Sequence, residues 1–94
     1  MTTNERIALR AVCAGPTDCG SLAALLPVAV GAKSREDRRE KHRRDVASAL
    51  LAALYEEGLA SRTTKGVAPF PRHHTYTATD DGRARLAREE RSAA

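Results

Sequence analysis

The stretch that decides the reading is residues 46–59, Val46-Ala47-Ser48-Ala49-Leu50-Leu51-Ala52-Ala53-Leu54-Tyr55-Glu56-Glu57-Gly58-Leu59. Val46, Ala49, Leu50, Ala53 and Leu54 recur at helical spacing and predict one buried face. Gly58 stands where a helix ends in a left-handed glycine, and Leu59 is the apolar residue that packs back in such an ending. At about 100° per residue, Lys41, Arg44, Ser48, Ala52 and Tyr55 form the opposite stripe, with long bases first and small side chains in its middle. Leu51 and Tyr55 point partly outward in this reading and together offer a surface to a protein partner.

Upstream, residues 33–45 contain no apolar side chain. They suit either a solvated loop or a projecting helix that extends residues 46–57. The helix reading is favoured because Asp37 precedes Lys41, and Glu40 precedes Arg44, by one helical turn, and Ser34 can cap with Asp37 following. Further back, Thr2-Thr3-Asn4-Glu5 reads as a capping box. It opens a first helix with Ile7, Ala8, Ala11 and Val12 on its apolar side, widened by Leu9 and Cys13, and ended by Gly15-Pro16. Thr17 or Asp18 caps a second, short helix to about Leu26, with Leu22, Leu25 and Leu26 buried and Pro27 stopping it.

Downstream, the period changes to that of strands. Residues 59–64 and 74–79 are short and rich in Thr and Tyr, as two antiparallel strands would be. Residues 65–73, with Gly66, Pro69 and Pro71, form the tip between them. Thr79 or Asp80 caps a last helix to about Glu90, with Ala84, Leu86 and Ala87 available for packing, and residues 92–94 fray. The chain thus predicts a mainly α domain with a small β-hairpin, an α+β arrangement in the order helix, helix, helix, strand, tip, strand, helix. One domain spans residues 1–94, with its core over about 4–90.

Composition narrows the function. The 94 residues hold 16 Lys and Arg against 12 Asp and Glu, for a net charge of +4. The excess is concentrated: residues 33–45 and residues 58–79 each carry +3, against −2 in residues 46–57 and zero elsewhere. Two basic patches on so small a domain favour a polyanionic partner, although solubility alone also accounts for charged surface segments. The longest apolar run, residues 22–32, is interrupted by Pro27 and Gly31 and is too short to span a membrane. Thr2, Thr3, Asn4 and Glu5 do not open a secretory signal, so a cytoplasmic location is expected.

Cys13 and Cys19 match no zinc spacing. Cys13 is expected in the core, and a redox or metal role for Cys19 with His73 or His74 is the lesser alternative. His42, set among arginines, is expected to be solvated. No glycine-rich phosphate loop, HExxH or nucleophile elbow is present, so no enzyme, cofactor or metal is expected.

Residues 46–60, and the run Tyr76-Thr77-Ala78-Thr79-Asp80-Asp81-Gly82-Arg83, resemble two segments of winged helix-turn-helix regulators of the PadR-like and MarR-like kind. The first resembles the end of the third helix; the second resembles the place where the wing's last strand enters the next helix. Two departures stand out: residues 27–45 separate the second and third helices by more than the family usual, and Ala78 replaces a larger aliphatic side chain, which predicts a lightly packed wing root.

The resemblance implies a sequence-specific DNA-binding regulator, a repressor by family habit, with helix three in the major groove and a basic wing on the backbone or minor groove. Arg44 and Ser48 would then face base edges, and Arg38 and Lys41 the phosphates. Arg62, Lys65, Arg72 and His73 would serve the wing, with His74 able to add a hydrogen bond. One small module reads few base pairs, so a homodimer on double-stranded DNA is expected, with the first and last helices as its contact. The competing reading is a winged-helix module that binds a protein through Leu51, Tyr55 and the wing. A third is a DNA-binding sensor whose ligand or redox state changes dimer geometry.

Overall fold

The computed structural model describes residues 1–26, 36–66 and 73–93; for residues 36–40 and 93 it describes only the backbone course. The elements run α1 (Thr3–Ala14), α2 (Cys19–Leu25), α3 (Glu36–Glu56), β1 (Ala60–Lys65), β2 (His73–Ala78) and α4 (Asp80–Ala93). This is the predicted mainly α arrangement with one antiparallel hairpin. The segment 36–45 is helical, continuous with α3, which settles the choice between loop and helix for those residues. The remaining residues assigned to that insertion, and most of those assigned to the hairpin tip, lie outside the described residues.

The starts of α1, α2 and α4 form as their sequences predict, while the expected cap of α3 at Ser34 lies outside the described residues. Thr2 Oγ1 accepts from the Glu5 amide at 3.2 Å, while the Thr2 amide donates to Glu5 Oε1 at 3.4 Å, so the capping box forms in both directions. Asp18 rather than Thr17 caps α2, its carboxylate accepting from the Ser21 amide at 2.7 Å. Thr79 caps α4, its hydroxyl oxygen accepting from the Gly82 amide at 3.1 Å. The same Thr79 hydroxyl donates to the Gly58 carbonyl at 2.7 Å.

α3 ends as its glycine foretells. Gly58 has φ +77°, the Leu59 amide donates to the Leu54 carbonyl at 2.9 Å, and the Gly58 amide donates to Tyr55 at 3.1 Å. This is the paired closure of a Schellman ending. It also explains why β1 begins one residue later than the Thr-rich run suggests. Leu59 spends its amide on the helix end, and its carbonyl accepts from the Thr79 amide at 3.1 Å. Gly82 completes the junction, because a Cβ there would collide with the Leu59 carbonyl oxygen. The two segments at 46–60 and 76–83 are therefore in direct contact.

The core is built from Ala8, Leu9 and Val12 of α1, Leu22, Ala23 and Leu26, Ala47, Leu51 and Leu54 of α3, then Leu59, Ala60, Tyr76 and Ala78. Leu9, Val12, Leu22 and Leu51 are fully enclosed, each worth about 1.5–3 kcal/mol of burial. Ala78 at the wing root is itself buried.

Three packing expectations need correction. The buried seam of α3 is Ala47, Leu51 and Leu54, while Ala49 and Ala53 are exposed and Val46 and Leu50 half-buried. Leu51 is 0% exposed and offers nothing to a partner. Residues 46–54 are apolar at every position but Ser48, so their pattern does not fix which flank faces inward. In α2, Leu25 is 60% exposed and Ala23 takes its place in the core. In α4, Ala84 and Ala87 are exposed and only Leu86 packs inward, while the helix continues to Ala93.

The hairpin pairs Ala60 with Ala78 through Lys65 with His73. β2 has a second neighbour. Thr17 forms an isolated antiparallel bridge with Tyr76, each amide donating to the other's carbonyl, at 2.9 and 2.8 Å. The buried Thr17 thus ties the turn between α1 and α2 to the middle of β2.

Candidate nucleic-acid interface

A groove of about 410 Å³ opens where the start of α2, the polar flank of α3 and the start of β2 converge. Arg44 and Ser48 line it from α3, His73 to Tyr76 from β2, and Asp18, Cys19 and Gly20 from α2. Three residues chosen from sequence, Arg44, Ser48 and His73, therefore meet in one place. The bridge between Thr17 and Tyr76 holds the α2 wall and the β2 wall together.

Other sequence-chosen residues lie around this groove without lining it. Lys41 is exposed on the same flank of α3, one turn before Arg44. Arg62 and Lys65 are exposed on β1, where Lys65 pairs with His73 across the ladder. The side chains of Arg38 and Arg72 lie outside the described residues. Arg62 places its guanidinium carbon 4.4 Å from the centroid of the Tyr55 ring. Tyr55 thus carries the wing arginine at the C-terminal end of the stripe that Lys41 begins.

The electrostatics of the groove are mixed. Asp18 is held below its ordinary pKa chiefly by the Ser21 backbone amide, helped by the Ser21 hydroxyl, the Gly20 amide and the nearby His73, against a smaller opposing effect of burial. It therefore stands as an anion beside Arg44 and His73 at neutral pH. His74 Nδ1 and Thr64 Oγ1 share a cross-strand hydrogen bond at 2.9 Å.

Sequence reading treated Asp18 only as a cap and did not place Gly20 in the site at all. A cap is recognised by its neighbours in sequence, whereas its place in the groove depends on a bridge formed with a residue far along the chain. His74 was foreseen as an accessory donor, and it does line the groove.

Both cysteines are free thiols, Cys13 half-buried and packed against the core, and Cys19 exposed at the groove. Burial raises the Cys13 pKa, with Arg83 opposing and Glu90 adding to the rise. Among the described residues no cluster of three His, Cys, Asp or Glu side chains could hold a metal ion. Nor, among these residues, is any helix long and apolar enough to cross a membrane.

A second hollow, of about 400 Å³, lies on the other flank of α3. Val46, Ala49, Leu50 and Ala53 form its floor, between Glu5 of α1 and Glu57. At about 100° per residue these positions and the Arg44–Ser48–Tyr55 stripe fall on opposite sides of the buried seam. α3 therefore presents a polar, basic flank and an apolar, acid-rimmed flank at once.

Three helices, an antiparallel hairpin tied to the helical body by a one-residue bridge, and a closing fourth helix make this chain a winged helix. Among solved structures, the chain is similar to Bacillus subtilis PadR, crystallised in complex with operator DNA, with a TM-score of 0.64 over 88% of its length. The two sequences are 17% identical and the match takes in 44% of the PadR chain, so the likeness is one of fold and spans less than half of that protein. No protein-family model matches the chain, and neither does any curated protein.

Proposed function

We propose that this chain is a sequence-specific, DNA-binding transcription regulator, acting as a repressor and a homodimer. In this reading α3 enters the major groove, whose width admits a single helix. Arg44 and Ser48 face base edges, while Arg38 and Lys41 meet phosphates. Arg62, Lys65, Arg72 and His73 bring the hairpin to the backbone or the minor groove.

The observation that carries the reading is the polar flank of α3. Lys41, Arg44 and Ser48 are all exposed along it, and the large apolar residue that argued against a DNA face, Leu51, is buried. The fold likeness to a protein crystallised on operator DNA adds support. A protein-docking reading centred on Leu51 and Tyr55 loses Leu51, which is enclosed, and keeps Tyr55, which is 41% exposed beside Arg62.

The test is fluorescence anisotropy with two labelled duplexes, one from the region upstream of the gene that encodes this chain and one scrambled. At least tenfold tighter binding to the upstream duplex is expected. Equal binding to both would reduce the function to architectural DNA binding, and no binding at low salt would remove DNA from the proposal.

A further inference from the structure

The contact between Arg62 and Tyr55 joins a residue of the hairpin to a residue of α3 on the flank that carries Lys41, Arg44 and Ser48. Arg62 lies opposite Tyr76 in the ladder, and residues directly opposite share a face of the sheet. That face also holds Ala60 and Ala78 and turns toward the helices. Arg62 leaves the face beyond the core and lays its guanidinium over the exposed Tyr55 ring. A guanidinium carbon 4.4 Å from the ring centroid is within cation–π range. A long side chain is thereby held in one place, and a guanidinium carries five N–H donors suited to a phosphate.

Position gives the pair its meaning. From Lys41 to Tyr55 the helix axis rises about 21 Å, close to four turns. Cations at the two ends of this flank therefore address phosphates that lie well apart on the duplex. Lys41 serves one end, and without Arg62 the C-terminal end of the stripe carries no cation. We infer that Tyr55 is a positioning residue, and that its ring fixes Arg62 as the phosphate contact at the end of the stripe away from Lys41. This rests on the DNA-binding reading and adds to it a role for a residue that touches no DNA itself.

The experiment measures affinity for the upstream duplex at a series of salt concentrations, for the whole chain and for Arg62→Ala, Tyr55→Ala, Tyr55→Phe and the double Ala variant, with thermal unfolding as the check on folding. Arg62→Ala and Tyr55→Ala should each weaken binding roughly threefold to tenfold at low salt and flatten the log–log salt slope by about 0.9, the share of one phosphate. The double variant should be no worse than either single one, and Tyr55→Phe, which keeps the ring and loses the hydroxyl, should match the parent. A Tyr55→Ala slope equal to the parent's would overturn the inference, because a pair that merely pins the hairpin changes stability and not counterion release. Additive losses, a Phe variant as weak as the Ala variant, or an Arg62→Ala slope equal to the parent's would overturn it too. Should the parent chain itself show no salt-dependent binding, the DNA reading falls and the inference with it.

Discussion

Asp18 does two things with one carboxylate, and they pull in opposite directions. As a cap it closes a helix of only seven residues, α2, too short to persist without help. As a charge it stands in the groove beside Arg44 and His73, where an anion opposes a phosphate. Removing the cap in Asp18→Ala should cost about 1 kcal/mol at pH 7. Because the folded pKa lies below the ordinary 3.8, the stabilisation is complete above that value and is lost as the pH falls through the folded one. Urea unfolding of parent and variant should therefore show a gap that is full at pH 7 and narrows below about pH 4. Asp18→Asn separates the two roles, since Asn caps as well as Asp. It should keep most of the stability and bind DNA more tightly. An Asn variant with weaker DNA binding and unchanged stability would mean that the carboxylate assists recognition.

The elements differ in how much of themselves they reveal in sequence. The capping box at Thr2, the glycine ending at Gly58 and the start of α4 were legible because each is a local hydrogen-bond problem solved by residues within one turn. The inward face of α3 was not. With nearly every position from Val46 to Leu54 apolar, several stripes compete, and the choice is made by α1, α2 and the sheet arriving together. The outcome, a seam of Ala47, Leu51 and Leu54, can be read in stability. Leu51→Ala should cost about 2–5 kcal/mol, a large part of the total for a domain this small. Leu25→Ala, at a site that is 60% exposed, should stay within about 0.5 kcal/mol of the parent. Chemical denaturation of the two variants checks the assignment, and comparable losses at both positions would refute it. The bridge of Thr17 with Tyr76 was equally hidden, because a single bridged residue has no period to detect. The groove inherits that invisibility: its α3 side was foreseen, while its α2 wall depends on the bridge.

At the scale of the whole molecule, charge is sorted rather than spread. On α4, Arg83 pairs with Asp80 at 3.6 Å and Arg85 with Glu89 at 2.9 Å, and from α1 Arg10 reaches Glu90 at 3.5 Å. Pairs like these, two exposed and the Arg85–Glu89 pair half-buried, contribute little to stability, but they leave the side of α1 and α4 near neutral. Among the described residues, Lys41 and Arg44 put positive charge on one flank of α3 and Arg62 and Lys65 put it on the hairpin, while the apolar hollow between Glu5 and Glu57 faces elsewhere. If six of the bases assigned to that side neutralise phosphates, log affinity should fall against log salt with a slope of roughly −5. The slope can then be dissected by position. Lys41→Ala and Lys65→Ala should each flatten it by about 0.9, whereas Arg88→Ala, on the exposed surface of α4, should leave it unchanged. A uniform flattening by all three would show that the chain attracts DNA through its net charge of +4 alone. Position-dependent flattening requires that DNA meet one side of the molecule, which is the physical content of placing α3 and the hairpin together on the duplex.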